Sequence, residues 1–457
     1  MILATCLPFA ASNIALMAQT LAAPPIFSDA QRARLVALWN APGRYEIGPR
    51  PDAQKSGAYV VRLTPDASRW FNAFNRTLKP GKLSPAKNAV EVTDATRPWE
   101  TWILAKLKYD RALAAQQAAF ANAQLFAAPL PTAPLTDAVL IAPAATKALP
   151  PHPGPIPLDL LAAVGNAPPF AAVAMPLRHT VRFESGEIIS YTDHIAPGNP
   201  RNPYLRFSNG VASGGTALSQ IAPDELDRIF AASGLTPAES RVMRAISLLE
   251  GGFDSINTYD TGFLSVGFIQ FAALEAGSGS LGEVLKTEKS RDPLSYARDF
   301  TDLGVDVTPD GLLAVVDPSS GAELVGNAAV LEIIDDKRLT AVFHLAGQRS
   351  TAFRAAQIQV AKTNYYPADD NVSVEIGGQT LTAKVGDIIH SEAGLATLFD
   401  RKVNTGNIRV LSQVLQNTML KNGLTKLEEI APFEREIVAA VRWRSDFLKD
   451  ATLTQPQ

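Results

Sequence analysis

Residues 236–271 read TPAESRVMRAISLLEGGFDSINTYDTGFLSVGFIQF, and the interpretation of the whole chain starts from this stretch. Thr236 and Glu239 are spaced as a capping box with Pro237 at the first helical position, which predicts the start of a helix. The apolar residues that line one face of this helix are Val242, Ile246 and Leu249. The glycines at 251–252 predict that the helix ends there through a left-handed backbone.

Glu250 therefore lies on the last turn of a helix whose apolar face is expected to be buried. The negative end of the helix dipole and partial burial both raise the pKa of a carboxyl group in this place. A carboxyl group with a raised pKa keeps its proton near neutral pH, which a general acid requires. Glu250 is thus a candidate catalytic acid.

The residues after the helix predict a β-hairpin, because Asp260-Thr261-Gly262 is a turn sequence between two short β segments. Asp260 would lie at a wet loop edge and be ionised, so the two carboxyl groups would differ in charge, as glycoside hydrolysis needs. Asp260 is the predicted base, and Asp254 is the alternative. The same pattern also fits a solvated helix end at Glu250 and an ordinary turn residue at Asp260.

The stretch resembles the lysozyme-like glycoside hydrolases, and most closely the chitosanase family (glycoside hydrolase family 46). In that family a catalytic Glu ends a helix and a glycine-rich β segment follows, so Glu250 stands for the acid and Asp260 for the base. The spacing between these two residues is shorter than is usual in chitosanases. The family's pattern of glycine and hydroxyl residues is kept by Gly262, Ser265, Gly267 and the run Gly277-Ser278-Gly279-Ser280.

Later segments resemble the same family in order, so that the similarity covers about residues 236–406. They are AFRAAQ at 352–357, YYPA at 365–368, VGDI at 385–388 and LFDR at 398–401. The sequence GFIQF at 267–271 is also similar to the Gly-Leu-Met-Gln of goose-type lysozymes and lytic transglycosylases. The resemblance implies a mainly helical lysozyme-like domain with a small β-hairpin or sheet.

The function implied is an endo-acting glycoside hydrolase that cleaves a β-1,4-linked amino-sugar polysaccharide, either chitosan or peptidoglycan. No metal or organic cofactor is implied. The mechanism expected is inverting acid/base catalysis. The alternative is a lysozyme-like domain that serves as a glycan-binding or structural module without turnover.

Five residues are candidates for substrate binding: Tyr259, Thr261, Ser265, Gln270 and Ser280. Thr261 or Ser265 would orient the attacking water. Tyr259 could stack on a sugar ring or pack in the core, as could Phe263, and Gln270 could bind substrate or tie the β segment to the helix. Ser280 stands where chitosanases carry an Asp that holds cationic glucosamine, which implies a less cationic substrate such as an N-acetylated glycan.

Composition excludes several other classes of protein. The 457 residues include 42 Lys and Arg against 45 Asp and Glu, a net charge of −3, which excludes the strongly basic footprint of a general nucleic-acid-binding protein. Cys6 is the one cysteine, which excludes an internal disulfide framework and a cysteine-based zinc site.

The chain is predicted to be α+β, with a small α+β module at 28–120, a Pro- and Ala-rich linker at 121–175 and the lysozyme-like domain at 176–450. The module contains a strand at Val60–Leu63 and two helices, and it could mediate association with the cell wall. Residues 1–27 carry no charge and form a leader or an unstructured apolar segment. They fit a secreted or cell-envelope protein but lack the positive n-region of a signal peptide, and a start codon misassigned upstream of Met17 is the alternative.

Overall fold

The structure is a computed structural model. It describes residues 24–49, 59–78, 94–127, 148–193, 209–259 and 262–457, without the side chains of residues 72, 75, 76, 78, 125–127 and 250. Over these residues the protein is α+β, rich in helices and with small antiparallel sheets, as the sequence predicts. The predicted leader lies outside the described residues as far as residue 23.

The helices of the described residues account for most of the regular structure. They are α1 (Asp29–Trp39), α2 (Pro65–Leu78), α3 (Arg97–Ala127), α4 (Leu158–Val164), α5 (Pro223–Ala232), α6 (Pro237–Glu250), α7 (Ser280–Arg291), α8 (Pro293–Asp299), α9 (Asn327–Asp335), α10 (Lys337–Arg349), α11 (Thr351–Tyr365), α12 (Glu392–Thr405), α13 (Val410–Asn422) and α14 (Glu434–Val441).

The strands are short and pair in antiparallel fashion in the orders β1-β4-β5, β2-β3, β6-β7-β8-β9, β10-β11-β12 and β13-β14. Their bounds are β1 (Tyr45–Pro49), β2 (Val60–Leu63), β3 (Ala171–Ala174), β4 (Leu177–Arg182), β5 (Ile188–Thr192), β6 (Ala212–Ser213), β7 (Ile256–Asn257), β8 (Ser265–Val266), β9 (Phe271–Ala272), β10 (Val305–Val307), β11 (Leu313–Val316), β12 (Glu323–Val325), β13 (Asn371–Ile376) and β14 (Gln379–Lys384).

The largest core lies among the helices from α5 to α12, and α1 contributes to it through Trp39. Trp39 is 2% exposed, and its indole N–H donates to the carbonyl of Leu303 at 3.1 Å. Strand β1 pairs with β4, and the amide of the fully buried Phe27 donates to the Glu323 carboxylate at 2.9 Å. Residues 27–49 therefore share the core of the C-terminal region, which differs from the predicted division at 28–120 and 176–450.

Residues 148–175 are packed, which differs from the extended linker predicted from their proline content. They form α4 and β3, and β3 pairs with β2. Phe170 is fully buried in a separate core with Phe71 from α2, their ring centroids 4.6 Å apart. The prolines are compatible with this packing because they lie in irregular backbone and not inside helices or central strands. The indole N–H of Trp102 donates to the carbonyl of Gly154 in this backbone at 3.3 Å.

Two local features follow from single residues. Strands β4 and β5 form a hairpin around Gly186, which has a φ of 100° that glycine adopts without strain. Helices α9 and α10 are divided at Asp336, whose side chain accepts from the amide of Arg338 and caps α10. No helix in the described ranges combines the length and apolar composition that a membrane span requires.

Candidate functional site

Helix α6 begins and ends where the sequence predicts, but the backbone conformation of the glycines after it differs from the prediction. The capping box of Thr236 and Glu239 is present, and the helix ends at Glu250. Gly251 has a φ of 172°, which is extended backbone, so the left-handed ending predicted there is wrong. Glycine is needed for space instead, because a Cβ at Gly252 would lie 2.3 Å from the carbonyl oxygen of Thr216.

A small antiparallel sheet follows α6 directly. Ile256 pairs with Val266 across β7 and β8, and Val266 pairs with Phe271 across β8 and β9, so two short β segments flank the predicted turn. Asp260 and Thr261, the predicted base and a water-orienting residue, lie outside the described residues, as does the side chain of Glu250. Glu250 and Asp260 therefore stay predicted catalytic residues. The described backbone beside them consists of the end of α6 and the residues that flank the turn.

The β segment has an unusual backbone. In the described part of the chain, the non-glycine residues with positive φ are Phe263 at 62°, Gln270 at 57° and Leu274 at 55°. Such conformations cost on the order of 1 kcal/mol or more each and persist only where the surroundings enforce them. Their grouping within twelve residues marks the segment after the turn as one whose shape is held by its packing.

Gln357 on α11 holds the two sides of this region together. Its side chain is fully buried, its amide donates to the carbonyl of Phe253 at 2.9 Å, and its oxygen accepts from the amide of Phe268 at 3.3 Å. A Cβ at Gly267 would lie 2.1 Å from the same amide oxygen, so only glycine fits there. The residues just after Glu250 and the β segment are thus tied to one side chain.

Asp254 is a buried, hydrogen-bonded carboxylate, 2% exposed. Oδ1 accepts from the amide of Thr216 at 2.7 Å and Oδ2 accepts from its hydroxyl at 3.1 Å. His344 Nε2 lies 3.7 Å from Oδ2. A base must reach a water molecule beside the substrate, and this burial counts against Asp254 in that role.

Two further polar groups lie around Asp254. Burial raises the pKa of the Tyr191 hydroxyl well above its usual range, and the charge of Asp254 raises it further. Burial lowers the pKa of His344, and the charge of Asp254 opposes this in part. The Gln348 amide approaches His344 Nε2 at 3.0 Å, so a neutral imidazole accepts this hydrogen bond. Tyr191 and His344 are therefore both held in their uncharged forms beside Asp254 at neutral pH.

The structure places the other predicted substrate residues as follows. Ser265 is 6% exposed within β8, and Phe263 is 2% exposed, so Phe263 is a core residue. Gln270 donates to the Ser255 hydroxyl and to the carbonyl of Gly267, which agrees with its structural interpretation. The Ser280 hydroxyl accepts from the amide of Ala272 at 3.1 Å and joins β9 to the first turn of α7.

Partly exposed side chains remain near the end of α6. Tyr259 is half-buried. Leu249 is 37% exposed, so its predicted place in the buried face of α6 is wrong, and Leu248 beside it is 66% exposed. Leu274 is 40% exposed in the turn after β9. The last turn of α6 and the turn after β9 thus each expose apolar side chains.

The described residues contain no group of three or more His, Cys, Asp and Glu side chains arranged to hold a metal ion. No family model, curated protein sequence or solved structure matches the chain significantly.

Sequence reasoning gave no role to Gln357 or Thr216. Gln357 contacts residues about 100 positions away, and no local pattern reveals such a contact. The pair Gly214-Gly215 before Thr216 was the available signal, because adjacent glycines often mark a close approach of two backbones.

Proposed function

We propose that the protein is an endo-acting glycoside hydrolase that cleaves a β-1,4-linked amino-sugar polysaccharide, chitosan-like or peptidoglycan. Glu250 is the general acid that protonates the leaving oxygen, and Asp260 is the base that activates water. The proposed mechanism is inverting, because the base acts on a water molecule and not on the sugar.

The observation that carries the proposal is the shared anchoring by Gln357. The helix that ends at Glu250 is followed at once by an antiparallel β segment, and Gln357 contacts both the residue Phe253 and the residue Phe268. Three stretches that carry the family resemblance, at 250–253, 267–271 and 352–357, therefore meet in space. The convergence of these three stretches supports the proposed relationship with the lysozyme-like glycoside hydrolases.

Two further features support an active site at the end of α6. The strained backbone at Phe263, Gln270 and Leu274 lies in the segment that follows Asp260, and strain of this kind clusters at functional sites. The exposed Leu248 and Leu249 on the last turn of α6 offer apolar contacts, which suit N-acetyl groups better than the ammonium groups of glucosamine.

The test is an assay of the full chain for new reducing ends on chitosan of defined acetylation and on peptidoglycan. Glu250→Gln keeps the size of the side chain but has no proton to give, so the rate should fall by about 10²–10⁴-fold. Glu428→Gln, at an exposed position in the C-terminal region, is the matched control and should keep the wild-type rate. Asp260→Asn should also reduce turnover severely.

The outcomes separate this proposal from its rival. Turnover that depends on Glu250 supports the hydrolase. Binding of either polymer without turnover by the wild type would instead support a glycan-binding module. Near-normal turnover by a folded Glu250→Gln variant would end the assignment of Glu250 as the acid.

A further inference from the structure

We infer that Asp254 is a positioning residue that fixes the turn of residues 251–254, and through this turn the end of α6 that carries Glu250. The inference rests on the proposed function and adds a residue to it. Asp254 does not act on substrate in this account.

The carboxylate of Asp254 clamps the turn to a separate loop. Both of its oxygens accept hydrogen bonds from Thr216, one from the amide at 2.7 Å and one from the hydroxyl at 3.1 Å. The backbone reinforces the clamp, because the amide of Gly252 donates to the carbonyl of Gly214 at 3.0 Å. A buried carboxylate that lost these partners would be energetically costly, so the folded state strongly favours this arrangement.

Three glycines enclose Asp254, each at a point where a side chain would collide with it. A Cβ would lie 2.4 Å from Oδ1 at Gly215, 2.6 Å from Oδ1 at Gly252, and 2.4 Å from the Asp254 Cα at Gly347. These glycines belong to the loop between β6 and α5, to the turn itself and to α10. Asp254 is thus held from three separate parts of the chain and leaves the turn little freedom.

The position of the turn matters because it begins one residue after Glu250. An acid must lie within hydrogen-bond reach of the leaving oxygen, and a displacement of about 1 Å can cost on the order of 10²-fold in rate. A turn clamped by Asp254 keeps the last turn of α6 from fraying. The positioning therefore affects kcat more than KM.

The experiment compares four variants in the full chain at a temperature where each is folded. Asp254→Ala removes both acceptors and should lower kcat by about 10²-fold with KM changed less than about threefold. Asp254→Asn can still accept from the Thr216 amide and donate to its hydroxyl, so it should keep kcat within about fivefold of wild type. Thr216→Val should lie between the two. The control is Asp400→Asn, a buried Asp that accepts from Arg444 in the C-terminal region and should leave kcat unchanged.

Two results would overturn the inference. One is wild-type kcat in Asp254→Ala. The other is a folded Asp254→Asn as inactive as Asp254→Ala, because loss on removing the charge alone would mean that Asp254 transfers a proton.

Hydrogen exchange tests, independently of turnover, whether Asp254 holds the turn of residues 251–254 in place. Asp254→Ala should speed amide exchange in peptides covering 212–218 and 250–258, and Asp400→Asn should not. If the wild type cleaves none of the polymers, the proposed function fails, and the exchange data still judge the clamp. Unchanged exchange in Asp254→Ala would overturn it.

Discussion

Replacing Glu288 by Gln should make the protein more stable, and the gain should grow with pH. Glu288 lies on α7 and is 1% exposed, and among the described residues neither of its carboxylate oxygens has a partner with full hydrogen-bond geometry. Its pKa is raised from 4.5 to about 8, mainly by burial and also by the neighbouring carboxylates of Asp299 and Asp292, while the hydroxyl of Ser350 and the charge of Arg298 lower it in part. The folded protein therefore holds this carboxyl protonated at neutral pH.

The size of the effect follows from proton linkage. Below about pH 4.5 both the folded and the unfolded chain hold the proton, and between pH 4.5 and about 8 only the folded chain does. The free energy of unfolding consequently falls by about 1.4 kcal/mol per pH unit over this window, on the order of 5 kcal/mol in all, and then levels off. Against a typical total of about 5–15 kcal/mol this is a large share.

Urea unfolding followed by tryptophan fluorescence at pH 5, 7 and 9 measures the effect. Glu288→Gln cannot ionise, so its advantage over wild type should be close to zero at pH 5, intermediate at pH 7 and largest at pH 9. The exposed Glu428→Gln should show a constant difference. A stability difference for Glu288→Gln that stays the same at all three pH values would refute the reasoning.

Three further predictions concern folding and substrate preference. A fragment that starts at residue 176 should have a lower Tm than the full chain, because it loses the β1–β4 pairing and the buried Trp39 and Phe27; an unchanged Tm would restore the predicted division. Gly267→Ala should lower the free energy of unfolding by about 2 kcal/mol or more beyond the loss caused by Gly378→Ala, as measured by urea unfolding. Both glycines have positive φ, but only Gly267 is crowded, by the side chain of Gln357, so equal losses in the two variants would contradict the crowding. Ser280→Asp should raise cleavage of deacetylated chitosan relative to N-acetylated glycan, because it restores an acidic contact for ammonium groups; an unchanged ratio would mean that residue 280 does not face substrate.

The local elements of the candidate site could be predicted because their signals lie within a few residues. The capping box of Thr236 and Glu239, the end of α6 at Glu250 and the β segments around Asp260 all follow from short-range spacing, although the extended backbone of Gly251 does not. The same reasoning misjudged Leu249, since helical periodicity alone does not show where a neighbouring element stops covering the helix.

The long-range contacts could not be predicted. The hydrogen bonds of Asp254 to Thr216 and of Gln357 to Phe253 join parts of the chain that no local pattern relates. The packing of residues 148–175 was hidden for a different reason. Their proline content predicts extended backbone, but a few apolar residues such as Leu160 and Phe170 are enough to bury this segment against α2 and α3.

Loss of activity at alkaline pH would have two separate causes in this protein, and Glu288→Gln distinguishes them. The raised pKa of Glu288 makes the free energy of unfolding fall as the pH rises towards about 8. Ionisation of Glu250, in contrast, removes the proposed acid without unfolding the chain. At pH 9 the Glu288→Gln variant should therefore be more stable than wild type and still be poorly active. If this variant instead regained its full neutral-pH rate at pH 9, unfolding would be the cause of the alkaline loss. Glu250 would then not be limiting as a proton donor, and the general-acid assignment would have to be abandoned.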